Sequence, residues 1–288
     1  MPDFERTALE LFQSTWAMEI RQPHLEELSL DEKCTKAAQS GFHGLNIDLD
    51  VEDMPAIDVV GQALKAHNLK CSIVAFPNNI DSLCYHLERC QFLSATSLVV
   101  NARLFAFSIT EGADFVGQCL DKGNEFGIPV HFETHRLTLT NDLLYTSQLI
   151  EQCPDLELVA DLSHYVLGRE MPMPVDGFHQ ALIQQVLSRC VSIQGRIANR
   201  EQIQVPLHFT QHQDWVNQFY QWWQWGMMNW LHRAEQKKPT LPFNFTCELG
   251  PAPYAITDQN QRELSDRWAE SLILKDTAQA LWNKCNQR

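Results

Sequence analysis

The chain has 288 residues, 44% of them hydrophobic, enough to bury one large α/β core or two smaller ones. Its formal net charge of -14 works against a protein built to grip nucleic acid or an anionic membrane, because both select basic surfaces. Nine cysteines without a C-x-x-C pair read as small core residues of a reduced, cytoplasmic protein; the acidic start MPDFERTALELF is unlike a signal peptide, and no apolar run reaches about 18 residues.

Apolar runs and helical segments then alternate along the chain. Strand one is expected at 14–20 and a surface helix at 23–39, ended by Gly41. Strand two follows at 44–50, helix two at 54–67 with Pro55 in its first turn, and strand three at 69–76. Asp81 is a candidate cap for helix three, which runs to about 93; strand four is expected at 97–101 and helix four at 111–126, with Gly127 as its stop. Strands five and six are the apolar runs 128–132 and 156–160, with a helix between them capped near Thr140 or Asn141. A helix after Pro174 runs to about 189, strand seven is at 190–194, a long helical region at 211–237, strand eight at 242–248 and a last helix from 258 to the end. Eight such units in 288 residues fit a closed (β/α)8 TIM barrel better than an open sheet. No linker rich in Pro, Gly or Ser divides the chain, so 1–288 reads as one domain.

In a parallel barrel, ligands and catalytic groups sit at the C-terminal strand ends, where loops vary while strands fix direction. Strands five to eight end on Glu133, Asp161, Gln194 and Glu248. Four oxygen donors at one rim suit a divalent cation, and donors of that kind favour Mg2+ or Mn2+, with Zn2+ or Co2+ as alternatives. His135 and Arg136 lie just past Glu133, and His164 stands three residues after Asp161. Glu19, at the expected end of strand one, and Asn101, at the end of strand four, could complete the pocket floor.

FETHR at 132–136, DLSHY at 161–165, GRIANREQIQVP at 195–206 and CELGPAPY at 247–254 resemble the xylose isomerase-like barrels, the superfamily of sugar (phosphate) isomerases and epimerases. The resemblance spans essentially the whole barrel and implies one divalent metal held by two glutamates, an aspartate and a histidine, matched here by Glu133, Asp161 and Glu248. Where that pattern places a metal-binding histidine, this chain has Gln194, a weaker ligand. It further implies that His164, the second histidine, and Arg196 hold substrate, and that Glu133 and Glu248 exchange a carbon-bound proton through an ene-diolate. His135 and Arg136 are then substrate contacts or supports for the metal site.

The expected activity is thus metal-dependent isomerisation or epimerisation of a sugar or polyol. Lys is absent between Lys122 and Lys237, which argues against the two-metal hydride shift of classical xylose isomerase. Two rival readings are a barrel with a degraded metal site that only binds, and an apurinic endonuclease-like hydrolase, which the acidic charge disfavours. The aromatic-dense segment WVNQFYQWWQWGMMNW reads as a buried helix, or as a subunit interface joining a homo-oligomer, rather than as a sugar-stacking platform. His208 and His212 stand four apart but read as loop residues.

Overall fold

A computed structural model describes residues 8–23, 25–236 and 241–287. Eight parallel strands close into a barrel in sequence order: β1 (Leu9–Ser14), β2 (Gly44–Asp48), β3 (Lys70–Ala75), β4 (Leu98–Val100), β5 (Val130–Glu133), β6 (Leu158–Ala160), β7 (Cys190–Gly195) and β8 (Phe243–Cys247). β1 closes the ring on β8, from Leu9 opposite Phe243 to Gln13 opposite Cys247. The near-continuous apolar runs exist because each strand is covered twice, by helices outside and by packed side chains inside.

Helices connect the strands, and most begin where a short polar side chain satisfies the first free backbone N–H groups. Ser29 and Glu32 form a capping box for α1 (Leu30–Gln39), and α2 (Ile57–Ala66) follows β2. Asn79 caps α3 (Ile80–Leu93) and Ser108 caps α4 (Ile109–Phe126), which stops at Gly127 with φ at 68°. Asp142 caps α5 (Leu143–Gln152), a short α6 (Ser163–Gly168) leaves β6, and Asp176 caps α7 (Gly177–Leu187). Then come α8 (Gln213–Gln236) and α9 (Arg267–Asn286), the latter capped by Asp266. The expected end of α8 at Lys237, the start of the chain at 1–7 and its last residue lie outside the described residues.

One expected strand is displaced. The residues that pair are Leu9–Ser14, while Trp16–Met18, inside the expected strand at 14–20, forms a 3-10 turn. Register decides: Phe12 lies opposite Gly44 on β2, where a Cβ would come within 2.7 Å of the Phe12 ring. Only a glycine there lets the two strands close, so the apolar residues after Ser14 are left to turn over the rim. Glu19 consequently caps that turn instead of ending a strand.

The main core lies between the barrel wall and the helices. Trp222 and Trp223 of α8 are completely buried; Trp223 packs edge-on against Phe245, and Trp230 meets both Phe243 and Trp282. The aromatic density of this segment is therefore internal packing between β8, α8 and α9. Inside the barrel Val74, Val99 and Val159 form a small apolar cluster, and polar Asn46, Ser72, Ser192, Gln194 and Asn244 line the cavity there.

Candidate active site

Side chains alternate along each strand, so inward positions recur every second residue and build layers along the barrel axis. The lower layer, from His131, Val159, Ser192, Gln194, Asn244 and Thr246, surrounds a cavity of about 80 Å3. Two residues further along the same strands, Glu133, Arg196 and Glu248 line a cavity of about 630 Å3 at the C-terminal mouth. A space of that size accommodates a small polar ligand.

Glu133, Asp161 and Glu248 each bring a carboxylate oxygen within 4.8 Å of the others, a candidate metal-binding cluster; Glu133, His135 and His164 form a second, overlapping one. Asp161 is completely buried, with Oδ1 accepting from the Ser163 hydroxyl at 2.5 Å and from its backbone N–H at 3.0 Å. Its other oxygen, Oδ2, accepts from Arg196 Nη2 at 2.7 Å. The same Nη2 donates to Glu248 Oε2 at 2.6 Å. Asn101 Nδ2 donates to Glu133 Oε2 at 3.0 Å, and the Thr140 hydroxyl caps the Glu133 carbonyl oxygen. His164 Nε2 lies 3.3 Å from Asp161 Oδ2, and its ring stacks obliquely on His135 with centroids 4.1 Å apart.

This crowding separates the protonation states. Burial, then the charges of Glu248 and Asp161, push Glu133 well above the ordinary carboxylate range, against the Asn101 bond and Arg196. Burial raises Glu248 to about 7, with Arg196 opposing and Asp161 adding. Burial would raise Asp161 too, but Arg196, His164 and Ser163 together outweigh it and hold that carboxyl low. Burial, and then His164, push His135 down to about 3, and burial lowers His164 as well. Both rings are thus neutral at physiological pH and can donate or accept.

The expected residues divide into two groups. Glu133, Asp161, Glu248, Arg196, His164, His135 and Asn101 come together at the mouth; Arg136 reaches it from the side, its guanidinium 4.8 Å from the Tyr254 ring centroid. Gln194 stands apart from the expected four-donor cluster: it faces the lower cavity, and neither of its amide atoms has a hydrogen-bond partner among the described residues. The chain turns between them: Gln194 lies within β7, while Arg196 follows the strand, its N–H donating to the Gln194 carbonyl at 3.0 Å, and it is Arg196 that reaches the rim. Glu19 lines a neighbouring cleft, where it pairs with Arg21 at 2.5 Å. Two rim residues lie outside the expected site set: Trp16 within the displaced strand, and Tyr254, at the end of the CELGPAPY stretch, in the loop after β8.

The donor set answers whether a divalent metal fits. Three carboxylate oxygens would suit a hard cation. As arranged, however, Arg196 Nη2 already stands at 2.7 and 2.6 Å from two of those oxygens, and the side chain two residues before it faces away. A metal bound by Asp161 and Glu248 together would have to displace a buried guanidinium, so the residues do not fit that ion in this arrangement.

No protein-family model matches the sequence, and no curated protein matches it. Among solved structures the chain is similar to an L-ribulose 3-epimerase, at TM-score 0.62 and 10% identity over 97% of this chain and 96% of that one. It is similar also to a xylose isomerase-like TIM-barrel protein from Mycobacterium smegmatis in complex with magnesium, at TM-score 0.60 and 13% identity over 95% and 97%. A third is the IOLI protein with a zinc atom, at TM-score 0.57 and 13% identity over 96% and 97%. The chain therefore has the fold of the xylose isomerase-like TIM barrels, end to end.

Proposed function

We propose that this protein is an isomerase or epimerase of a small sugar, polyol or similar keto-hydroxy compound, acting by proton transfer beside a carbonyl. The observation that carries this reading is the pair Glu133 and Glu248, two buried carboxyls at one mouth, both held above the ordinary carboxylate range. A protonated and an ionised carboxyl side by side are what a stereochemical inversion at carbon needs. Glu248, ionising near 7, takes the proton from the carbon next to the carbonyl. The C–H electron pair becomes the new C=C bond and the carbonyl pair moves onto oxygen, giving an ene-diolate. Glu133, acting in its protonated form, returns a proton to the carbon, and exchange with solvent resets both groups. His164 and His135 bind and orient the hydroxyls as neutral rings. The sugar epimerases among the similar structures support the same substrate class.

Nine cysteines, none in a disulfide among the described residues, support a reducing, cytoplasmic setting. In D2O, with or without Mg2+, Mn2+, Zn2+ or Co2+, purified protein should place solvent deuterium on the carbon beside the carbonyl of a ketose, aldose or inosose. Absence of exchange and turnover with every class, or full activity of Glu133→Gln, overturns the proposal. One observation favours a second reading, a barrel that binds sugars without turning them over: Arg196 already satisfies two of the three acids. Ligand binding without exchange would establish it.

A further inference from the structure

We propose that the Arg196 guanidinium is the resident cation of this mouth, built into the chain where a divalent ion would otherwise join Asp161 and Glu248, and that its remaining N–H donors receive a substrate oxygen.

The placement is built from both sides of the barrel. Arg196 is 1% exposed, and its single Nη2 bridges carboxylates from the ends of two different strands, β6 and β8. Two carboxylates taken out of water need a compensating charge, and a planar guanidinium supplies it with directed hydrogen bonds. Two aromatic rings also pack against it: the ring centroids of Tyr254 and Trp16 lie 4.7 and 5.4 Å from Cζ, and the two rings meet edge to face at 4.9 Å. A cation over two aromatic faces gains from both.

The backbone has been cleared for this arrangement. A Cβ on Gly250 would come within 1.9 Å of the Trp16 indole, so only glycine lets that ring lie where it does. A Cβ on Gly195 would come within 2.6 Å of the Phe245 ring, so β7 can approach β8 only with glycine just before Arg196. Asp161 is committed as well, one oxygen to Ser163 and the other to Arg196. A guanidinium that had merely fallen into a vacant metal site would require none of these accommodations.

Arg196 Nε and Nη1 are buried and have no hydrogen-bond partner among the described residues, in a side chain that lines the mouth cavity. Unpaired buried donors next to a cavity suit a carbonyl or ene-diolate oxygen, where preorganised N–H groups stabilise developing negative charge. The assignment of that oxygen rests on the reaction proposed above; the replacement of the metal does not.

Metal content and thermal unfolding test the replacement without any substrate. Untagged protein should carry no stoichiometric divalent metal by elemental analysis, and its Tm should be unmoved by EDTA or by millimolar Mn2+, Mg2+ or Zn2+. Arg196→Ala, which vacates the cluster, should gain a rise of several degrees in Tm with Mn2+, because a ligand binding only the folded state stabilises it. Wild-type protein with one equivalent of metal that disappears in Glu248→Ala, or a wild-type Tm raised by Mn2+, overturns the proposal whether or not Arg196→Ala folds. If Arg196→Ala folds and no divalent ion raises its Tm, the cluster is not an ion's place and the proposal is likewise overturned. Failure of the deuterium exchange assay, by contrast, leaves these readouts untouched and counts only against the reaction.

Discussion

The rim above β5–β8 and the rim above β1–β3 line the same cavity and are both acidic, yet their acids live differently. On the first side Glu133, Asp161 and Glu248 are buried and share one guanidinium. On the second, Asp50 is half exposed and pairs outward, with Arg89 at 2.6 Å and His86 at 3.4 Å, away from the cluster. Asp48 accepts from the backbone N–H of Asp50, and its carboxyl is raised by burial, with that bond opposing. Residue type is alike on both sides; full burial around a shared cation is not. Low local dielectric turns the first set into coupled acid–base groups, while on the second Asp48 is only partly buried and Asp50 keeps ordinary surface pairing.

Substituting across this divide should give the largest contrast. Glu133→Gln and Glu248→Gln each remove one partner of the proton transfer, and kcat/KM should fall by about 10^2 to 10^4 for each. Asp50→Asn, on the same mouth, should stay within about threefold, because it removes only a partly solvated pair. Steady-state kinetics on all three variants would break the comparison if Asp50→Asn proved as damaging as the glutamate changes.

Stability should divide along the same line. Arg196→Met keeps bulk but strands two buried carboxylates, at a cost of about 3–5 kcal/mol in urea unfolding. Arg89→Met releases a partly exposed partner and should cost below about 1 kcal/mol. Equal losses would mean that the buried bridge is worth no more than the surface pair.

The uneven legibility of the chain follows from the same physics. Seven of the eight barrel strands fall where the apolar runs put them, because parallel strands are covered on both faces; β1 does not, since its pairing residues Leu9–Ser14 carry Glu10 and Gln13. Helix stops such as Gly127 are visible because a left-handed residue announces itself, but starts are not. α1 begins at Leu30 and α9 at Arg267, later than the polar segments before them suggest, since capping by Ser29 and Asp266 depends on backbone geometry. Glu133, Asp161 and Glu248 are legible as acids closing apolar strands. Gln194 and Arg196 stand two residues apart at the end of β7, and no local pattern tells which of the two reaches the cluster. Trp16 and Tyr254 are illegible because their role depends on the displacement of β1 and on a loop that folds back over the mouth.

A smaller effect probes how tightly the aromatic cage defines the acidic side. Gly250→Ala forces the Trp16 ring to move, and such overpacking costs about 1–3 kcal/mol. Because Trp16 lies over Arg196, the same change should lower kcat more than it raises KM; a stability loss with unchanged kcat would separate the cage from the chemistry.

The mildest probe is pH, and its sign is specific. Glu248 titrates near 7 in the folded chain, above its ordinary value of 4.5, mainly because burial disfavours the charged form. A raised carboxyl makes its stability contribution in full below the unfolded value of 4.5, and that contribution is lost as pH rises through about 7. Activity runs the other way, since Glu248 must be ionised to accept a proton, so kcat/KM should climb through the same interval. The unfolding free energy of Glu248→Gln should therefore be flatter than wild type between about pH 5 and 8. A divalent ion on Glu248 would hold that carboxylate ionised far below this range and erase both slopes, so a flat wild-type curve there would place a metal, not Arg196, at the centre of the acidic side.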